Sequence, residues 1–266
     1  MTAFFCATCG AQFPPADAPP DRCPVCEDAR QYVPESGQAW ISDSDLAAAH
    51  RNEIRRDGAY DGVGMDPAFA IGQRALLVPA GERHVLWDCI PLVDDDAAAE
   101  IERRGGLAAI AISHPHYYSC MVEWARRFDC PVHLHAADAE WVMRPDPAIG
   151  HWDGDTLELE HGLTLIRGGG HFPGGTMLHR RDGAGTLLTG DIIQVIPDRS
   201  HVGFMWSYPN LVPLPHAAVE AIAAAVEPFE FETIHGAWWG RTIPSGAKDV
   251  VRRSAARYGR ALRGEL

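Results

Sequence analysis

Four histidines and one aspartate stand at the ends of short apolar runs in the middle and C-terminal parts of the chain. They are His114, His116, His171, Asp191 and His235. Each apolar run is typical of a β-strand, and a strand end is a rigid place for a side chain. Imidazole and carboxylate ligands held by separate strands suit zinc, iron or manganese. The pattern therefore predicts a metal site that activates water and polarises a substrate oxygen.

Two Cys-x-x-Cys pairs lie near the N-terminus. They are Cys6 with Cys9 and Cys23 with Cys26. This spacing lets two tight turns present four thiolates to one zinc or iron ion. The segment has too little apolar material for a core of its own, so bound metal would supply most of its folding free energy. Disulfides are the alternative, but a chain without an export signal is expected in a reducing compartment, where metal is favoured.

Hydrophobic periodicity predicts the elements that position these residues. The predicted strands are 74–78, 84–88, 108–112, 131–135, 156–159, 163–167, 177–179, 186–189 and 231–234. The predicted helices are 94–104, 118–128, 136–143, 217–226 and 248–263. Residues 28–40 are predicted to be a polar linker, and Gly62-Val63-Gly64 a turn. Strands precede helices in each half, which indicates two packed sheets flanked by helices.

The order of these motifs resembles the metallo-β-lactamase superfamily over residues 76–239. The resemblance implies an α/β fold, a four-layer αββα sandwich at residues 39–266, after a small four-cysteine metal ribbon at residues 1–38 that resembles a zinc ribbon or a rubredoxin-like knuckle. It implies a first metal held by His114, His116 and His171, with Asp191 adjacent. Asp88 matches an acidic residue that lies near these histidines in the family, where it would fix an imidazole tautomer.

The family's His-x-His-x-Asp-His run is incomplete in this chain. Tyr118 and Ser119 stand where the family has the aspartate and the last histidine. Of the ligands implied for a second metal, only Asp191 and His235 remain, so that position is expected to be vacant or weak. Ligation by His235 is itself open, because it could instead face the substrate. The resemblance therefore favours one metal, and esters, thioesters or lactones over phosphodiesters and β-lactams.

The resemblance implies a metal-dependent hydrolase of unknown substrate, in which the metal lowers the pKa of a bound water and provides a hydroxide nucleophile. Asp191 would orient that water or accept its proton, and His235 or Tyr118 would stabilise the oxyanion or the leaving group. We expect one zinc at the histidines and one in the ribbon, with iron open at either. The alternatives are an iron-dependent redox or oxygen enzyme, and a binding protein whose catalytic site has decayed.

A long aromatic segment, residues 196–213, follows Asp191 directly and could wall the pocket. Its candidate substrate contacts are Arg199, His201, Trp206 and Tyr208. Arg199 would indicate an acidic group on the substrate. Packing of the segment against the body of the fold is the alternative for each of the four.

Length and charge limit the remaining classes of function. A chain of 266 residues can bury a large core and carry a small appendage. A net charge of -13 disfavours nucleic acid as a partner and leaves a small molecule as the expected substrate. No apolar run reaches the roughly 20 residues that cross a bilayer, and no secretory pattern opens the chain, so a cytoplasmic protein is expected. A homo-oligomer and the role of the ribbon stay open.

Overall fold

The structure, a computed structural model, describes all of residues 1–266, and its N-terminal segment forms a small unit around four buried cysteines. Strand β1 (Phe4–Cys6) pairs antiparallel with β2 (Trp40–Ser42), and a single helical turn, α1 (Pro24–Glu27), lies between them in the chain. Helix α2 (Asp43–Ala49) follows, with Ser42 Oγ accepting a hydrogen bond from the Asp45 amide at its start. The two-stranded sheet of the ribbon thus extends to residue 42.

The first large sheet contains seven strands in the same order as they occur in the chain. They are β3 (Arg51–Asp57), β4 (Tyr60–Asp66), β5 (Ala75–Ala80), β6 (Arg83–Trp87), β7 (Leu107–Ala111), β8 (Val132–His135) and β9 (Ile149–Trp152). Helix α3 (Asp95–Arg103) connects β6 to β7, and helix α4 (Met121–Phe128) connects β7 to β8. Two 3₁₀ segments, Pro115–Tyr117 and Ala136–Trp141, follow β7 and β8.

The second half of the chain builds a six-stranded sheet with two helices. Its elements are β10 (Thr156–Glu158), β11 (Leu163–Arg167), β12 (Thr176–Arg180), β13 (Thr186–Gly190), β14 (Gln194–Val195), β15 (Val202–Gly203), β16 (Met205–Ser207), β17 (Val212–Pro213), α5 (His216–Val226), β18 (Thr233–Gly236), β19 (Thr242–Ile243) and α6 (Ala247–Leu262). The order in the sheet is β10-β11-β12-β13-β18-β19, while β14–β15 and β16–β17 form two separate small ribbons.

The two large sheets pack face to face. Alternate residues of the first sheet, such as Val85 and Trp87, meet Leu165 and Leu188 of the second in one buried cluster. The residues between them in sequence point the other way, so that Leu86 packs with helices α3 and α4 on the outer face. Helices α5 and α6 cover the outer face of the second sheet in the same way. The predicted four-layer αββα fold with an N-terminal four-cysteine unit is confirmed.

One local prediction is wrong. Gly62 and Gly64 do not form a turn but lie within β4, which pairs with β3 along its whole length. The indole of Trp239 packs directly over both glycines, and a Cβ atom would lie 2.5 Å from it at Gly62 and 2.8 Å at Gly64. These glycines therefore allow close approach of an aromatic ring to a strand, as isolated strand glycines commonly do.

None of the helices combines the length and the apolar character that a bilayer crossing would require.

Candidate metal centre and its cavity

Three predicted ligands converge at one edge of the two sheets. His114 and His116 follow β7, whereas His171 lies in the glycine-rich loop between β11 and β12. The ligand nitrogens of these three buried residues lie within 4.8 Å of one another. His116 Nδ1 lies 3.2 Å from His171 Nε2, close to the spacing of about 3.4 Å that a tetrahedral ion with bonds of about 2.1 Å imposes on its nitrogens. The group therefore has metal-binding geometry.

Local contacts fix which nitrogen of each ring is free. His171 donates a hydrogen bond from Nδ1 to the Trp206 carbonyl at 2.7 Å, which leaves Nε2 facing its neighbours. His114 Nδ1 shares a hydrogen bond of 2.9 Å with Ser113 Oγ, so its Nε2 is also free. Gly170 has a φ of +78°, and a Cβ atom at this position would lie 2.7 Å from the Ile222 side chain. Glycine therefore allows the loop to turn here and to direct His171 inward.

Asp88 acts on the site through Ser113. Its Oδ1 accepts a hydrogen bond of 2.9 Å from the Ser113 amide, and Ser113 Oγ in turn contacts His114. Complete burial raises the pKa of Asp88 to about 6. The carboxylate therefore anchors the residue that orients His114, rather than touching the imidazole itself.

Asp191 follows β13 directly and lies beside the three histidines. Its Oδ1 lies 3.3 Å from His114 Nε2. Neither of these atoms, nor His116 Nε2, has a hydrogen-bond partner, although all are buried. Burial, followed by the charge of His171, holds the pKa of His114 well below its usual range, so its imidazole stays neutral. Buried polar atoms without partners are rare, and neutral imidazoles beside a carboxylate are what a divalent metal requires.

The structure corrects the prediction for Tyr118. A 3₁₀ segment has three residues per turn, so Tyr117 lies over His114, with ring centroids 4.4 Å apart. The hydroxyl of Tyr117 is buried near Asp191 without a hydrogen-bond partner. Both tyrosines belong to the apolar core of the first half, but Tyr118 does not line the cavity. The hydroxyl of Ser119 accepts a hydrogen bond from Gln73 Nε2 at 3.2 Å.

His235 is likewise outside the metal-binding group. It lies within β18 rather than after it, and its ring packs 5.0 Å from that of Tyr60. Its Nδ1 shares a hydrogen bond of 3.2 Å with Thr242 Oγ1. The side chain thus points between the sheets towards β4, because alternate strand positions face opposite sides. The predicted role of His235 as a ligand or oxyanion donor is therefore not supported by the geometry.

The four residues of the aromatic segment have different positions. Tyr208 lines the cavity and donates a hydrogen bond of 2.5 Å to the Asp191 carbonyl. Trp206 contributes its carbonyl, which holds His171. Arg199 donates to the carbonyls of Ile196 and Gly240, and His201 contacts Asp198 and Ser200, so neither lines the cavity. The acidic substrate group inferred from Arg199 loses its basis.

A cavity of about 330 Å³ opens above the metal-binding group. Its walls include His116, His171, Asp191 and Tyr117. They also include residues that sequence reasoning missed, namely Thr8, Gln31, Tyr32 and Gln194. The first three belong to the ribbon and the segment after it, which the sequence predicts to be a polar linker. No local signal identifies them, since only the tertiary fold brings the ribbon to this edge.

The ribbon cysteines form a second metal-binding group. Cys6 Sγ lies 3.4 Å from Cys26 Sγ, and Cys9 Sγ lies 3.6 Å from Cys23 Sγ. A tetrahedral ion with bonds of about 2.3 Å to sulfur separates its ligands by about 3.8 Å, whereas a disulfide requires about 2.05 Å. All four thiols are buried and free of disulfides, so they fit one ion rather than two cross-links.

Comparisons with known proteins agree with this architecture. No protein-family model matches the chain. The chain is 44% identical over 272 residues to the uncharacterized protein YmaE of Bacillus subtilis (strain 168), covering 100% of this chain and 99% of YmaE. It is similar in structure to the DIM-1 metallo-β-lactamase exposed to ceftazidime, with a TM-score of 0.59 at 9% identity over 79% of this chain and 98% of that one. A metallo-β-lactamase from Pontibacter korlensis gives a TM-score of 0.56 at 12% identity over 79% and 99% of the two chains.

The fold is therefore that of the metallo-β-lactamases, as the order of motifs predicts. The chain belongs to the family of B. subtilis YmaE, with which it shares its full length.

Proposed function

We propose that the protein is a metal-dependent hydrolase that cleaves an ester, a thioester or a lactone at a mononuclear centre. The observation that carries this proposal is the group of His114, His116, His171 and Asp191 at the base of a cavity. These side chains are buried, and His114 Nε2, His116 Nε2 and Asp191 Oδ1 have no hydrogen-bond partner within the protein. A metal ion bound there supplies a Lewis acid that polarises a carbonyl oxygen and lowers the pKa of water.

The chain itself positions the reacting groups. Asp191 Oδ1 would orient the attacking water and accept its proton. Tyr117, whose hydroxyl is unpartnered and borders the cavity, would donate a hydrogen bond to the oxyanion or the leaving group. Tyr208 holds the Asp191 backbone, and Asp88 with Ser113 holds His114. These contacts favour a fixed geometry, which is what catalysis by positioning requires.

Zinc is our assignment for both centres. Three imidazoles with one carboxylate, and four thiolates, are both common zinc ligand sets. A mononuclear centre is favoured because neither Tyr118 nor His235 lines the cavity. Only Asp191 would then remain of the residues implied for a second ion.

Elemental analysis of protein purified without added metal tests this proposal. We expect about two zinc ions per chain, and about one in His114→Ala, with hydrolysis of ester, thioester and lactone panels lost in that variant. His151→Ala, an exposed histidine outside the site, is the matched control and should keep both ions. A metal content that His114→Ala leaves unchanged would overturn the proposal. Iron with a thiolate absorption band would replace it with the redox alternative.

A further inference from the structure

Residues 28–32, here called the ribbon loop, are held firmly against the metal-binding half of the fold. Ser207 Oγ donates to the Arg30 carbonyl at 3.0 Å. Asn210 Nδ2 donates to the carbonyls of Ala29 at 3.0 Å and Gln31 at 2.9 Å. Three consecutive backbone carbonyls are thus bound by residues that follow Asp191 in the chain. The ribbon loop is therefore a built wall of the cavity rather than a flexible linker.

Arg30 adds a second attachment and takes no part in the cavity surface. Its Nε lies 2.6 Å from Asp28 Oδ1, and its guanidinium lies 3.9 Å from the centre of the Phe172 ring. Because Phe172 follows His171 directly, this stacking ties the ribbon to a metal-binding histidine. Arg30 is paired with Asp28, and neither residue lines the cavity.

The loop then presents Gln31 to the cavity. Gln31 is only 7% exposed, yet its side-chain amide makes no hydrogen bond to the protein. The amide faces the cavity instead of being sealed within the protein, so its two donors and one acceptor oxygen are available to a ligand. Tyr32 stands beside it at the rim and is 48% exposed, which is unusual for so large a side chain.

No lysine or arginine lines the cavity, and its other walls include Ile71, Tyr208 and Trp238. A carboxylate or phosphate bound beside Gln31 would therefore lose its hydration without gaining a cationic side chain. An uncharged polar group can instead pair with an amide that both donates and accepts.

We propose that Gln31 is a specificity-determining residue, which hydrogen-bonds an uncharged carbonyl or amide group of the substrate while Tyr32 covers its apolar part. This inference rests on the proposed hydrolase function and assigns the ribbon a direct part in substrate recognition. Uncharged acyl groups that carry an amide are the preferred class. Acyl groups of the same length with a carboxylate are rejected.

Three p-nitrophenyl esters test the assignment: the N-acetylglycinate, the pentanoate, which has the same chain length without an amide, and the hemisuccinate, which bears a carboxylate. In the holoenzyme, Gln31→Ala should raise KM for the N-acetylglycinate about tenfold, as expected for one lost hydrogen bond of about 1.4 kcal/mol, with kcat within about twofold. KM for the pentanoate should stay within about twofold. The hemisuccinate should be the poorest of the three for the wild-type protein.

Two further variants complete the design. Gln31→Glu keeps the size of the side chain but loses the amide donor. It should therefore raise KM for the N-acetylglycinate ester as Gln31→Ala does. Val33→Ala, in the same segment but outside the cavity, should match the wild type. Equal effects of Gln31→Ala on the N-acetylglycinate and the pentanoate, or an effect on kcat alone, would overturn the assignment.

A binding experiment separates this inference from the hydrolase proposal. Ligand-detected NMR should show N-acetylphenylalaninamide binding to the wild-type holoprotein and to Val33→Ala, but not to Gln31→Ala. If no ester is cleaved and this binding pattern is found, the hydrolase proposal fails while the role of Gln31 stands. Absence of binding to the wild-type protein, or equal binding to Gln31→Ala, would refute the role of Gln31.

Discussion

Replacement of Arg74 should destabilise the fold strongly, because Arg74 joins the two sheets beneath the site. Its side chain is fully buried, and its Nε lies 2.7 Å from Oδ2 of Asp57, which is 7% exposed. Its Nη1 donates to the Gly236 carbonyl at 2.7 Å, and its amide donates to the Ala237 carbonyl at 2.9 Å. Arg74, which directly precedes β5 in the first sheet, thus binds the end of β18 in the second sheet.

The expected magnitude follows from these contacts. Arg74→Met leaves the Asp57 carboxylate buried without its cation, a loss of about 3–5 kcal/mol when one partner of a buried pair is removed. The Gly236 carbonyl also loses its side-chain donor, which costs about 1 kcal/mol more. The total of about 4–6 kcal/mol is a large part of the roughly 5–15 kcal/mol that stabilises an ordinary domain.

Urea unfolding followed by circular dichroism at neutral pH measures this loss. Asp57→Asn in the Arg74→Met background should recover part of it, since an uncharged amide is less costly to bury and can still accept from the Gly240 amide. A loss below about 1 kcal/mol for Arg74→Met would refute the reasoning. So would a double variant that is no more stable than Arg74→Met alone.

Two further predictions concern the ribbon and a buried carboxyl. Cys26 lies just before the ribbon loop, so Cys26→Ser should lower the zinc content by about one ion per chain and raise KM for the N-acetylglycinate ester. Cys130 lies outside the ribbon, and in the same assays Cys130→Ser should leave both the zinc content and KM unchanged. Burial raises the pKa of Asp138 from 3.8 to about 6. Its ionisation therefore opposes folding, and this destabilisation is absent below about pH 4 and grows as the pH rises to about 6. Asp138→Asn can still accept a hydrogen bond from the Gly174 amide. Its free energy of unfolding should exceed that of the wild type by up to about 3 kcal/mol at pH 7 and by almost nothing at pH 4. Parallel pH profiles of the two proteins would contradict this prediction.

Sequence reasoning picked out the three histidines that the fold brings together, because the signals around them are local. His114, His116 and His171 each follow a strand or a glycine-rich turn. The order of such motifs along the chain does not depend on the conformation of the loops between them. Tyr117 could have been found from the same residues, since Pro115 favours the start of a short helical turn and a three-residue period then stacks Tyr117 on His114. The error with Tyr118 came from relying on the alignment of motifs instead of that period.

Other features could not be predicted because long-range packing decides them. Gly62 resembles a turn residue until Trp239, from the other end of the chain, is known to lie against it. The ribbon loop resembles a linker until Ser207 and Asn210 are seen to bind its carbonyls. In both cases the local sequence permits several conformations, and contacts from the second half of the chain select one.

The position of the ribbon bears on why a hydrolase of this fold would keep it. An independent appendage would share few specific contacts with the cavity, but here the segment directly after Cys26 is bonded to residues that follow Asp191 and stacks beside His171. A metal ion bound by the cysteines would stabilise α1, which contains Cys26 and leads directly into the loop that carries Gln31. The two metal-binding groups are therefore joined through a single short segment. Loss of the ribbon metal should consequently weaken substrate binding more than it disturbs the positions of the histidines. His114 and His171 are held by their own partners, Ser113 and Trp206.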